Sequence, residues 1–255
     1  MSFSIGRTLG RTFSPISGNA ATVLGVGALF SGVPAAVVAA LEFQAAGGAI
    51  PGLNEAVPLT PAYGAAVLVQ LLLAFLAQAA LIHTAVGFYR GRRVGFGEAL
   101  GAGVRHLVPL IVISILFFFG LALGFTLLVL PGVFLLVKWS VTFPSRVVEN
   151  AGIIGSFKRS WALTRDHWLP VFGFMLALIF VLLGAGVVIG IVLALAFAGL
   201  GFLGGPIALG VLVLVQIVFG TAQVAIGSGA AAALYDGLLT EHEGGDTEAL
   251  RQTFA

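Results

Sequence analysis

The chain has 255 residues, of which 59% are hydrophobic and 9% charged, with a formal net charge of +2 and no cysteine. A soluble domain of this size leaves roughly a quarter to a third of its unfolded surface in water and carries about 25% charged residues to cover it. A soluble globular enzyme is therefore excluded, as are disulfides, thiolate metal sites and cysteine nucleophiles, and the small basic excess points to anionic lipid head groups rather than nucleic acid.

Apolar runs of about 18 residues or more recur, long enough to cross a hydrocarbon core of roughly 30 Å. In lipid every backbone N–H and C=O must be paired within the protein, so spans are helices or closed barrels. The runs are continuous and lack the alternation of barrel strands, so helices are predicted. In chain order six segments are predicted, near 20–41, 62–88, 107–130, 133–143, 168–198 and 207–234. Pro131-Gly132 reads as a tight turn between the third and fourth, and residues 199–206 as a glycine-rich loop between the last two. Arg7 and Arg11 resemble the start of a signal peptide, but the apolar run behind them exceeds the usual length of about 7–15 residues, so an uncleaved first helix is expected.

Arg7 and Arg11 precede the first segment; Arg90, Arg92, Arg93 and Arg105 lie between the second and third; Arg146, Lys158, Arg159 and Arg165 lie between the fourth and fifth. The alternate loops near 43–60, 131–132 and 199–206 contain neither Lys nor Arg. The positive-inside rule then places both termini in the cytoplasm. The predicted fold is an all-α polytopic bundle of six transmembrane helices, forming one membrane domain over 1–240, with a short polar cytoplasmic tail at 241–255.

Amphipathic interfacial helices are expected near 3–14, 94–105 and 152–166. Phe96, Leu100 and Val104 share one helical face, as do Ile153, Phe157 and Trp161, and Phe3, Ile5, Leu9 and Phe13 approximate the pattern. Residues 95–111 also align with 156–172, bringing His106 onto His167 and Pro109 onto Pro170. The alignment suggests an interfacial helix plus a transmembrane hairpin repeated three times; convergent amphipathicity is the competing account. Arg7, Arg11, Arg92, Arg93, Lys158, Arg159 and Arg165 are the candidate lipid head-group contacts.

Within the apolar segments the candidate polar residues are Lys138, Gln216 and Gln223. An intramembrane lysine costs roughly 2.5–3.5 kcal/mol on insertion scales and marks a paired or water-lined site; alternatively Lys138 snorkels to an interface beside Trp139. Lys138, Thr142, Ser145 and Glu149 share one helical face, a polar stripe that descends to the cytoplasm. Gln216, Gly220, Gln223 and Gly227, and more weakly Gln70, Ala74, Ala77 and Gln78, form small-and-polar seams suited to helix packing. Glu149, Arg159 and Trp161 are expected to brace the elbow into the interfacial helix, with the carboxylate on a nearby cation. His83, His106 and His167 are expected to make structural hydrogen bonds, and the acidic residues of the tail to be solvated. No catalytic, cofactor-binding or metal-ligating set can be assembled from spacing.

Residues 130–172 carry a recurring pattern: Leu130-Pro131-Gly132, Lys138-Trp139-Ser140, Pro144, Val147-Val148-Glu149-Asn150, then Ser156-Phe157-Lys158-Arg159-Ser160-Trp161, Leu163, Thr164 and Arg165. This resembles the glycerophosphoryl diester phosphodiesterase membrane-domain family and the YciC-like inner-membrane proteins of bacteria, with Asp166 where that family commonly has glycine. The resemblance implies an α-helical module of the bacterial inner membrane. It does not extend to the phosphodiesterase barrel fused to some members, for which this chain has neither the length nor a His-Arg-Gly-type motif. The expected function is a non-enzymatic integral membrane protein acting in envelope or lipid homeostasis. It would use no cofactor or nucleic acid and would contact preferentially anionic lipids, with a homo-oligomer or membrane-protein partner left open. The alternative is a small-molecule or lipid transporter or channel with a polar path at Lys138, Gln216 and Gln223; an enzyme acting on phospholipid head groups is a third reading.

Overall fold

The computed structural model describes residues 4–47, 60–200 and 205–253, which are helical with no strand. In order the elements are α1 (Ile5–Gly18), α2 (Ala20–Gly27), a π-helical turn (Ala28–Gly32), α3 (Val33–Ala45), α4 (Pro61–Tyr89), α5 (Phe96–Leu127), α6 (Val129–Lys138), α7 (Thr142–Glu149), α8 (Ile153–Leu163), α9 (Trp168–Leu200) and α10 (Gly205–Thr253). Among the described residues five stretches are long and apolar enough to cross a membrane: Ala20–Ala45, Pro61–Tyr89, Phe96–Leu127, Trp168–Val188 and Leu209–His242. Their outward faces stay apolar, with Leu68, Phe118, Phe119, Phe180 and Val218 all more than 60% exposed. Soluble monomers seldom expose contiguous patches of this kind. The chain is a multi-pass membrane protein.

Contacts set the direction of each helix. Tyr63 at the start of α4 donates to Glu42 at the end of α3 (2.8 Å). At the other end of α4, Tyr89 donates to the Arg11 carbonyl of α1 (2.8 Å). His83 of α4 meets Glu98 in the first turn of α5 (3.2 Å), so α4 and α5 are antiparallel. α6 and α7 then run back along α5: Gly132 sits by Gly124, Trp139 by Phe117, and Val147 by Leu110. His167, just before α9, lies 2.9 Å from Glu241 of α10, and Arg11 pairs with Asp236. The start of α1, the end of α4, the start of α5, α8 and the C-terminal half of α10 thus share one end of the bundle, here called the basic end.

Several sequence expectations change. The segment at 133–143 is two short helices on either side of a turn at Trp139–Val141. The chain reverses at Leu128, where the backbone is extended, and Pro131-Gly132 fall inside the first turns of α6. A proline near a helix start forfeits an N–H that has no helical partner anyway. The helix expected at 94–105 is no separate element. It is the start of α5, continuous through Pro109. That continuity separates the aligned stretches of the suggested repeat, because the matching step at 164–167 is a break between α8 and α9. α1 turns Ile5 and Leu9 onto the main core beside Val171, Phe174 and Tyr235, while Phe13 of the same face stays exposed; Phe3 lies outside the described residues. α10 remains helical from Leu234 through the expected tail to Thr253.

Small residues set a close crossing. Gly220 of α10 packs on Gly32, its would-be Cβ 3.1 Å from the Gly32 Cα, and a Cβ on Gly32 would collide with the Ile217 carbonyl. Ser31 Oγ adds a bond to the Gly220 carbonyl (3.0 Å). This is the small-residue contact that lets helices approach when lipid supplies no hydrophobic drive. Gly32→Val should destabilise the protein by about 1–3 kcal/mol or more, the usual range for overpacking. It should be read as a lower thermal midpoint in detergent, while Gly64→Val, with open space at its Cβ, should leave the midpoint within experimental scatter.

Candidate functional site

The motif at 130–165 folds into a reciprocal clasp between α8 and the α6–α7 break. α6 stops at Lys138 and α7 starts at Thr142, so backbone groups at the break lose their helical partners. Ser160 supplies two of the missing bonds. Its Oγ donates to the Lys138 carbonyl (2.8 Å) and accepts from the Val141 N–H (3.2 Å). Lys138 returns the favour: Nζ donates to the carbonyls of Thr164 (2.9 Å) and Arg165 (3.4 Å) at the end of α8. A cation there also suits the negative end of the helix dipole. Lys138 is 4% exposed, and Nζ lies 5.5 Å from the Phe134 ring and 5.6 Å from Trp161. The lysine is thus paired with backbone oxygens and set beside the edge-to-face Phe134–Trp161 pair, and the four-residue polar stripe is divided between two helices.

A second cluster ties α7 and α8 to α10. Glu149 Oε1 accepts from Arg159 Nε (2.8 Å) and from the Tyr235 hydroxyl (2.7 Å). Tyr235 is fully buried while both charged partners are more than a quarter exposed. Trp161 contributes to the clasp by its edge-to-face contact with Phe134, not to this cluster. On the neighbouring face Arg11 pairs with Asp236 and lies over the Tyr89 ring at 4.5 Å.

The other candidate residues separate into paired and unpaired groups. Arg92 bonds Glu98 (3.0 Å). Arg7, Arg93, Lys158 and Arg165 are exposed and have no carboxylate partner among the described residues. Gln223, with Ser31, Gln78 and Ser228, lines a groove of about 240 Å³ that does not include Lys138 or Gln216; the three intramembrane polar residues are not brought together there. Glu241 lies by His167, and the side chains from Glu243 onward fall outside the described residues. His83 bonds Glu98, whereas His106 is buried with Nδ1 unpartnered, contrary to the hydrogen bond expected of it. Tyr235, Asp236 and Tyr89 were not singled out from the sequence. None belongs to a periodic polar pattern, and only the packing of α10, α1, α4 and α7 gives each its partner.

No protein-family model, curated protein or solved structure matches the chain. The geometry must therefore carry the reading. What it offers is a rigid polar seam holding three short elements and a set of unpaired cations around it.

Removing Ser160 Oγ strands the buried Val141 N–H and leaves the Lys138 carbonyl only the long 3.4 Å contact from Thr164 Oγ1. Ser160→Ala should therefore cost about 2 kcal/mol, measured as loss of thermal or denaturant stability in detergent. The Glu149 cluster should be coupled. Glu149→Gln and Tyr235→Phe each lower stability, and the double variant loses less than the sum, by about 1 kcal/mol, because one shared oxygen serves both bonds. Strict additivity in that cycle would show that the two bonds are independent.

Proposed function

We propose that the protein is a non-enzymatic component of the bacterial cytoplasmic membrane that engages anionic lipid, or a membrane partner, through its basic end. The observation that carries this reading is the set of exposed, unpaired cations Arg7, Arg93, Lys158 and Arg165, borne by α1, the α4–α5 turn, α8 and the start of the α8–α9 link. Basic residues at an anionic leaflet contribute about 1 kcal/mol each. Arg11, Arg92 and Arg159 have protein carboxylates as partners and serve mainly to hold the helices that present the others.

The proposed topology has six crossings with both termini in the cytoplasm. Five come from the long helices, and the sixth from α6 and α7 together. Eighteen helical residues span about 27 Å at 1.5 Å per residue, close to the hydrocarbon thickness. An odd number of crossings would put α1 and the C-terminal half of α10 at opposite ends, against the Arg11–Asp236 pair. The resemblance of residues 130–172 to the phosphodiesterase membrane-domain family agrees with a membrane module and adds no chemistry.

Reporter fusions after Thr240 and within 47–57 should report cytoplasm and periplasm respectively; a periplasmic signal after Thr240 would overturn the topology. The Lys158→Gln/Arg165→Gln double variant should co-purify with less anionic lipid, by about 2 kcal/mol of binding, without losing thermal stability. Arg159→Gln should do the reverse. Transport of a solute by the protein in sealed vesicles, abolished by Gln223→Leu, would replace this reading with the transporter.

A further inference from the structure

At the basic end a cavity of about 150 Å³ opens between the last turns of α4, the first turns of α5 and the end of α7. Its polar wall is His83, Arg90, Arg92, Arg105, His106 and Asn150. No two of the three arginines are adjacent in sequence; the α4–α5 hairpin and the return of α7 bring them together. Charge is unbalanced there. The acid at its edge, Glu98, is bound to Arg92 and His83. Arg90 and Arg105 have no carboxylate partner among the described residues, and both are exposed at the mouth. From α7, Arg146 directs Nη1 to the carbonyls of Asn150 (3.1 Å) and Ala151 (2.6 Å), while its Nε is buried without a partner.

The wall also holds a buried polar atom without a partner. His106 is 3% exposed, lines the cavity, and its Nδ1 has no hydrogen-bond partner. Buried polar atoms are nearly always satisfied, and an orphan in a cavity wall calls for a ligand or a bound group. Guanidinium groups are planar donors that match phosphate oxygens. A cavity of this volume takes a ligand the size of benzene, and a phosphate group is no larger. Basic pockets between membrane helices at the cytoplasmic face bind phosphorylated head groups in general.

We propose that this cavity is a phosphate-binding site in which Arg90 and Arg105 hold the oxyanion at the mouth and His106 meets it from the wall. The phosphate is carried by a lipid head group or by a free anion; the recognition chemistry is the same. Arg92, held by Glu98, forms one side of the entrance and keeps His83 in place through the shared carboxylate. This site is distinct from the exposed Lys158 and Arg165, so it stands or falls separately from the lipid contacts proposed for them.

The test uses the full-length protein and two probes. Inorganic phosphate is titrated into protein in a neutral detergent and followed by its ³¹P line width. Phosphatidylglycerol retention is followed by native mass spectrometry after release from phosphatidylcholine nanodiscs. Wild-type protein should bind at least one probe. Arg90→Gln/Arg105→Gln, which alters exposed side chains, should weaken that binding at least about tenfold. His106→Asn should weaken it as well, with circular dichroism and thermal midpoint checking that it folds. Phosphate binding should be unchanged in Lys158→Gln/Arg165→Gln. Competition of the lipid by phosphate assigns one shared site; lipid binding alone assigns a head group, and phosphate binding alone a free anion. No binding of either probe, equal binding by the Arg90/Arg105 variant, or an equal loss in the Lys158/Arg165 variant for phosphate would overturn the proposal, the last because it would show diffuse attraction to a basic surface.

Discussion

The structure depends on one constraint: in lipid, a broken helix must have its freed backbone groups satisfied by protein. The break between α6 and α7 frees backbone groups at Lys138 and Val141, and Ser160 of α8 binds both. Lys138 in turn binds the carbonyls at the end of α8. Each partner closes the other's open end, so neither the turn nor the short helix is independent of the other. A lysine in an apolar segment is tolerated here because its charge is held by carbonyl dipoles and an adjacent aromatic pair, with no carboxylate in direct contact among the described residues.

Fixing α8 has consequences at the basic end. With α8 docked, Arg159 reaches Glu149, and Glu149 also receives the Tyr235 hydroxyl from α10. α1 is joined to the same helix through Asp236. Acidic residues are scarce in this part of the chain, and Glu98, Glu149, Asp236 and Glu241 lie against basic side chains of neighbouring elements. The cations they do not reach are what the protein can offer to an anion. Arg90 and Arg105 differ from Lys158 and Arg165 in that they border a cavity with a buried imidazole in its wall, a geometry suited to a single phosphate rather than a charged surface.

Away from that end the packing follows a different rule. The crossing of α10 over the π-helical turn uses Gly32 and Gly220, because lipid gives no reward for burying apolar side chains and close backbone approach must supply the attraction. The extra residue of a π-helical turn re-phases the helix faces on either side of it, at the point where α2 and α3 meet α10. The large apolar side chains of α5 and α9 are left outward, where hydrocarbon is their solvent.

The sequence by itself determined the solvent, the helical class, and which loops carry positive charge, because these follow from composition and from apolar runs that need no partner to be read. It also marked Lys138, Glu149 and Arg159 as out of place among their neighbours. Only the tertiary structure decided what those residues meet. Ser160 and Thr164 belong to the motif at 130–165, but nothing in the sequence names their partners until α8 is seen against the break. Tyr235 and Asp236 have no periodic signal, since their partners lie 86 and 225 residues away. The division of the fourth segment into α6 and α7, and the continuity of α5 through Pro109, were equally hidden. Hydropathy is blind to a three-residue turn whose backbone is satisfied from another helix, and a proline early in a long helix reads like a boundary until neighbouring helices hold the chain straight. The basic cavity belongs to the same class: its arginines are spread over the α4–α5 hairpin, and it exists because α7 returns beside them.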